Sequence, residues 1–149
     1  MLTQLATVSG IQHLDLGFNG LRAPSMIALS ESGITARLVS LELDGNHLGI
    51  AGITALCEQE FPLLEELGLS WCELNDEAIT PITATKAFPK LNTLRLRRNK
   101  LTDAGAELLA ASDWLRRQLT QLTRDYNDDM TSRGRDILIG AFGFERLDF

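Results

Sequence analysis

Leu91-Asn92-Thr93-Leu94-Arg95-Leu96-Arg97-Arg98-Asn99-Lys100-Leu101 decides the fold. Apolar residues stand at its first, fourth, sixth and eleventh places and an asparagine at its ninth. The alternation Leu94-Arg95-Leu96 has the period of a strand with one face on a core. The same spacing returns at Ile11, Leu14, Leu16, Asn19, Leu21, and at Leu38, Leu41, Leu43, Asn46, Leu48. It returns again at Leu64, Leu67, Leu69, Cys72, Leu74, and, with one residue more before the last anchor, at Leu119, Leu122, Arg124, Asn127, Met130. The copies begin at 11, 38, 64, 91 and 119, steps of 27, 26, 27 and 28 residues. A period that steady over five units marks a stack of repeats, each too small to bury its own leucines.

The intervening segments read as helices. Four and eight residues past the last anchor stand Gly52 and Leu56, Ala78 and Ile82, Gly105 and Leu109, Gly134 and Leu138, with Ser25 and Leu29 in the first copy. A small and a large residue thus recur one helical turn apart on one face, and the small one is expected to let the helix approach the strand layer. Pro24 suits a first helical turn. Asn75-Asp76, Thr102-Asp103 and Asp128-Asp129 offer oxygens to the open amides of helix starts. Each unit is then strand, tight turn, helix and return. Parallel strands lie about 4.8 Å apart and helices are about 10 Å across, so the stack must curve with its strands on the concave side. Crossovers of this kind are right-handed. The asparagine at each turn is expected to bond to its own turn and to the next unit, with Cys72 substituting once. Arg124, in a leucine position, suggests a partly solvated fifth strand.

The chain has 149 residues, 44% hydrophobic, with net charge -6 and pI near 4.9. That balance argues against nucleic-acid binding through phosphates and against anionic membranes. No apolar run approaches membrane-spanning length, and Met1 to Gly10 lacks the basic start of a signal peptide. Cys57 and Cys72 fall on a helix and at a strand end, so a disulfide is not expected and a cytoplasmic setting is, although a secreted effector fits the pattern too. The whole of 1–149 reads as a single domain, with partial units at 1–10 and 144–149. Leu2, Leu5 and Val8 form one terminal apolar face, and Phe144, Leu147 and Phe149 suggest the start of a sixth strand. With no evident polar cap at either end, a homo-oligomer through open ends is one expectation.

The 26–28-residue units, the asparagine-or-cysteine turn and helices such as Leu101-Thr-Asp-Ala-Gly-Ala-Glu-Leu-Leu-Ala110 resemble ribonuclease-inhibitor-type leucine-rich repeats over nearly the whole chain. The resemblance implies an α/β horseshoe, with a parallel sheet inside and helices outside. It also implies protein binding, usually on the strand face. The class includes inhibitors, GTPase activators, ubiquitin-ligase subunits and bacterial effectors, so the fold does not choose among them.

Residues between the leucines point into the concavity and fall into columns. These are His13, Ser40, Glu66, Thr93, Gln121; then Asp15, Glu42, Gly68, Arg95, Thr123; then Gly17, Asp44, Ser70, Arg97, Asp125; and at the rim Phe18, Gly45, Trp71, Arg98, Tyr126. The early strands are acidic (Asp15, Glu42, Asp44, Glu65, Glu66), the fourth is basic (Arg95, Arg97, Arg98), and Phe18, Trp71 and Tyr126 punctuate the rim. Aromatic and arginine side chains are what interface hot spots favour. The leading expectation is a non-enzymatic protein-interaction module whose face centres on Trp71 and Arg97. Against it stands simple pairing of Glu66 with Arg95 or Arg97 across neighbouring strands. A regulator of an enzyme, as inhibitor or GTPase activator, and a self-associating structural fragment are the alternatives.

No catalytic constellation, cofactor motif or metal set emerges. His13 and His47 have no Ser or Cys at a recognisable spacing, no glycine-rich phosphate loop occurs, and the two cysteines are not in C-x-x-C order. Asp125-Tyr-Asn127-Asp-Asp129 with Asp136 resembles the front of a calcium loop, but Met130 stands where that loop needs glycine. Trp114 with Arg116 and Arg117 reads as an outer aromatic followed by cations at the close of the fourth helix.

Overall fold

The computed structural model describes residues 10–143 and the backbone of Leu147–Asp148. Strands and helices alternate: β1 (His13–Asp15), α1 (Ala23–Glu31), a 3-10 turn (Ile34–Arg37), β2 (Ser40–Glu42), α2 (Gly49–Cys57), β3 (Glu66–Gly68), α3 (Asp76–Ala84), β4 (Thr93–Arg95), α4 (Asp103–Ala111), α5 (Asp113–Gln118), β5 (Gln121–Thr123), α6 (Ser132–Phe142) and β6 (Leu147–Asp148). The strands form one parallel sheet in chain order, and each helix packs on the next repeat's helix, α4 directly on α6. This is the α/β leucine-repeat solenoid the period predicts.

The register is one repeat per strand. Leu14 pairs with Leu41, Leu41 with Leu67, Leu67 with Leu94, Leu94 with Leu122 and Leu122 with Leu147. Leu41, Leu67, Leu94 and Leu122 are fully buried against Leu56, Ile82, Leu109 and Leu138 from the helices. A second layer, absent from the strand signature, closes the return loops: Ile34, Phe61, Phe88 and Leu115. Phe61 and Phe88 are fully buried, with ring centroids 5.5 Å apart. Each precedes a proline, at a spacing of one repeat, so the signal was present in Phe61-Pro62 and Phe88-Pro89.

The turn asparagines bond back to the preceding unit rather than forward to the next one. Asn99 Oδ1 accepts from the Cys72 and Leu74 amides at 3.1 and 3.0 Å, and its Nδ2 donates to the carbonyls of Leu69 and Leu96 at 2.9 and 3.1 Å. Asn46 does the same with the Asn19 and Leu21 amides and the Leu16 and Leu43 carbonyls. Asn127 takes the Leu101 amide and the Leu96 carbonyl. Cys72 reaches back as well, its thiol 3.3 Å from the Leu43 carbonyl. Among the described residues the Asn19 side chain makes one bond, a local one to the Gly17 carbonyl at 2.9 Å.

The small helix residues have a different job from the one expected. A Cβ on Gly105 would overlap Asp76 Oδ1, and one on Gly134 would overlap Asp103 Oδ1. These glycines clear the preceding helix start, not the strand layer. Asp76 accepts from the Thr102 amide at 2.9 Å and its hydroxyl at 2.6 Å, and Asp103 accepts from the Thr131 amide and hydroxyl at 2.8 and 2.7 Å. Asn75 and Thr102 cap their own helices as expected, but α6 is capped by Thr131, with Asp128 and Asp129 exposed in the turn before it. The extra residue in that repeat shifts the helix start.

Two further expectations change. Arg124 is only 5% exposed, so β5 is not solvated there; the register carries its side chain inward, where Nη1 lies 3.9 Å from Asp125 Oδ1. Trp114 belongs to a separate helix, α5, and is half-buried, its indole donating to the Thr83 carbonyl at 2.9 Å. The sixth strand exists as backbone pairing of Leu147–Asp148 with β5. The apolar ends (Leu2, Leu5, Val8 and the side chains of Phe144, Leu147 and Phe149) lie outside the described residues.

The amide ladder sets the stability of the stack. Asn99→Ala strands the Cys72 and Leu74 amides and the Leu69 carbonyl, the Leu96 carbonyl keeping its bond from Asn127, and is expected to cost about 3 kcal/mol in urea unfolding. Asn19→Ala is expected to cost less than about 1 kcal/mol, because its one side-chain bond among the described residues is exposed. Equal losses at the two sites would refute the ladder as the lock between repeats.

Candidate functional site

The face of the sheet away from the helices carries the columns in the expected order. His13, Ser40, Glu66, Thr93 and Gln121 stand side by side, as do Asp15, Glu42, Gly68, Arg95 and Thr123. Within the second column the charges meet across a gap. Arg95 Nη1 lies 2.9 Å from Glu42 Oε1, two strands away, while Nη2 lies 2.8 Å from Glu66 Oε2 on the adjacent strand. In this column the strand between offers only Gly68. A Cβ there would overlap Glu42 Oε2 and lie 2.9 Å from Asp44 Oδ1. Gly68 is therefore a notch through which one guanidinium reaches two carboxylates.

The third column is engaged along its own length. Asp44 Oδ1 accepts from the Ser70 amide at 2.7 Å, and Arg97 Nε lies 3.4 Å from Asp125 Oδ2. Asp15 accepts from the Gly17 amide at 2.8 Å. Burial raises the Asp44 carboxyl above its ordinary range, with the Ser70 hydrogen bond and Arg95 opposing it. Burial likewise raises Glu42, opposed by Arg95 and assisted by its neighbours Asp44, Glu66 and Asp15. The face therefore holds more ionic charge than it presents. Arg95 is largely matched by Glu42 and Glu66, and Arg97 is drawn toward Asp125.

The rim differs. Phe18, Trp71, Arg98 and Tyr126 all have left-handed backbones, with φ of 56°, 58°, 51° and 58°, and Gly45 completes the row at 69°. Each precedes the turn residue (asparagine or Cys72) of its repeat. The Phe18 ring covers Gly45, where a Cβ would overlap it. Further along, the Arg98 guanidinium lies between two rings, 4.4 Å from the Trp71 centroid and 4.2 Å from that of Tyr126. Phe18, Trp71 and Tyr126 remain 74%, 49% and 62% exposed. Sequence columns placed Arg98 between the two rings in order; the stacking itself follows from the shared left-handed turn, which aims all three side chains the same way.

The remaining candidates lie apart. His13 is exposed on β1, and His47 stands in a turn, with Nδ1 3.6 Å from Glu73. Cys57 and Cys72 are unpaired thiols, pushed up by burial to about 12 and about 11, far from the reactive range. Of the calcium-like residues, Asn127 serves the amide ladder and Asp125 faces Arg97. Among the described residues no cluster of potential metal ligands forms and no helix is long and apolar enough to cross a membrane. A hollow of about 350 Å³ lies at the helix ends, beside Phe88, Pro89, Trp114 and Gln118.

Two segments, residues 11–30 and 89–110, match the family model for the Leucine Rich repeat. They span β1 with α1 and β4 with α4, the first and fourth copies of the sequence pattern. No curated protein matches the chain. These two segments are similar to leucine-rich repeats, a class that generally mediates protein–protein interaction and is typically non-enzymatic.

Two carboxylates should respond to pH with opposite signs. The folded state raises Asp44, so its ionised form subtracts from stability, and folding loses ground as pH rises through the window above 3.8. Asp44→Asn, which keeps an acceptor for Ser70, is expected to melt higher than the parent at pH 7, with the gap closing in acid. The Thr131 hydrogen bond lowers Asp103, so its contribution is present above 3.8 and fades as pH falls. Asp103→Asn is expected to melt lower at pH 7 and converge in acid. Thermal melts of both variants from pH 3 to 7 check the signs.

The notch makes a separate prediction. Gly68→Val is expected to cost about 1 kcal/mol and to erase the coupling between Glu42→Gln and Arg95→Gln, which should be about 0.5–1 kcal/mol in the parent. Coupling that survives in the valine background would mean the pair does not depend on the gap.

Proposed function

We propose that this leucine-rich-repeat solenoid is a non-enzymatic, cytoplasmic protein-binding module. It engages another protein through the strand face and its aromatic rim, with Asp15, Phe18, Glu42, Asp44, Glu66, Trp71, Arg95, Arg97, Arg98 and Tyr126 as the contact set. The observation that carries this reading is the rim. Three large aromatic side chains, 49% to 74% exposed, are held in one row by backbone turns that fix their direction. Rings fixed in place lose little entropy on binding, and aromatic and arginine residues dominate interface energetics. A row of this kind is costly to leave in water unless something covers it.

The acidic and basic members of the face contribute differently. Glu42, Glu66 and Arg95 neutralise one another and form a level floor. Floors of this sort exclude water around the anchors more than they add affinity. Trp71→Ala is expected to abolish capture of a partner from lysate, while Arg95→Glu with Arg97→Glu weakens it by changing the floor's charge. Capture retained in the triple variant, with the fold intact by circular dichroism, would end this reading.

A further inference from the structure

Three arginines stand together on the fourth repeat, and they have three fates. Arg95 is held by Glu42 and Glu66, and Arg97 lies against Asp125. Arg98 is exposed, and among the described residues it meets the two rings with no carboxylate beside it. Its Cζ lies within 4.4 Å of both ring centroids, and contacts with ring faces consume none of the guanidinium's N–H donors. A guanidinium stacked in this way is fixed in orientation and partly shielded, and its edge matches a carboxylate in bidentate geometry. The neighbouring rim groups, the Trp71 indole N–H and the Tyr126 hydroxyl, can donate as well.

We propose that this stacked edge is a receptor for a carboxylate side chain on an extended segment of the partner protein, and that the segment lays an apolar residue on the Phe18 platform. The inference rests on the protein-binding reading above and names the chemistry that the rim selects. The platform is the Phe18 ring over Gly45, two strands from Trp71 and three from Arg98. Three strand spacings come to about 14 Å, which an extended chain covers in about four residues. The partner motif is then a Glu or Asp about four positions from a bulky apolar residue. A protein of net charge -6 is poorly suited to a polyanion, so a single carboxylate is favoured over nucleic acid.

The test is a random twelve-residue peptide-display selection on the full chain, run in parallel on the Arg98→Ala, Arg98→Glu and Trp71→Ala variants. The parent is expected to enrich peptides with an acid about four residues from a bulky apolar residue. Arg98→Ala should lose the acidic preference and keep the apolar one, and Arg98→Glu should enrich basic residues at the same place. The best synthetic peptide should bind Arg98→Ala and Arg98→Lys at least tenfold more weakly by fluorescence anisotropy, since lysine retains charge but not the fork. Binding unchanged in Arg98→Ala but lost in Trp71→Ala overturns the carboxylate receptor and leaves protein binding by the rim intact. No enrichment above the Trp71→Ala background overturns both. Replacement of the acid by phosphoserine should bring no gain; a tenfold gain would identify a phosphate site and overturn the carboxylate assignment.

Discussion

The turn amide is the constraint on which the rest of this structure depends. A chain leaving a three-residue strand abandons carbonyls and amides that the ladder no longer pairs, and they are buried between repeats. One asparagine side chain meets up to two donors and two acceptors there, divided between its own turn and the turn before. Since the amide's reach is fixed, the two turns can stand in only one register. The residue ahead of it must take a left-handed backbone, which costs a non-glycine residue about 1 kcal/mol. Phe18, Trp71, Arg98 and Tyr126 all accept that conformation. The rim row is thus a by-product of the lock: whatever precedes the turn residue is thrown outward, at strand spacing, along one edge.

A second ladder runs on the helix side, and it does not extend over the whole stack. Asp76 and Asp103 each hold the threonine that starts the following helix, with Gly105 and Gly134 leaving room for their carboxylates. In the earlier repeats the corresponding positions are Ala23 and Ile50, and the helix starts at Arg22 and Leu48 have no side-chain cap. The C-terminal repeats are therefore tied at both the strand exit and the helix entry, while the N-terminal ones rely on the amide and the packed leucines. In a stack held mainly by contacts between neighbouring units, this places the weaker interfaces at the first repeats.

The sheet register was legible because it depends only on spacing. Leu14, Leu41, Leu67, Leu94 and Leu122 can be aligned by counting, and the inner columns follow from alternation. What counting cannot deliver is direction and absence. Asparagine at the turn announces a bond between repeats, but not whether it reaches forward or back. Arg124 in a leucine position suggested solvent, yet register governs the side chain's direction more strongly than its polarity does. The Glu42–Arg95 pair spans two strands because Gly68 contributes nothing between them, and a reading of adjacent pairs passes over a contact made possible by a missing atom. Phe61 and Phe88 lie outside the strand signature, in loops whose sequence looks like a connector, so the repeat spacing does not mark them as core.

The fates of Arg95, Arg97 and Arg98 show how a one-residue step in a repeat changes the chemistry of a side chain. Arg95 and Arg97, two apart, share the inner face, where acids from neighbouring strands lie at hydrogen-bonding or ion-pair range. Arg98, one residue on, enters the left-handed turn and leaves that face entirely. Its neighbours are then the rim residues of the adjacent repeats, which are aromatic rather than acidic. Stacking consumes none of a guanidinium's hydrogen bonds, whereas ion pairing consumes them directly. Of three like residues in four positions, the one placed between rings is the one whose recognition capacity survives folding, and the others serve to level the surface beside it.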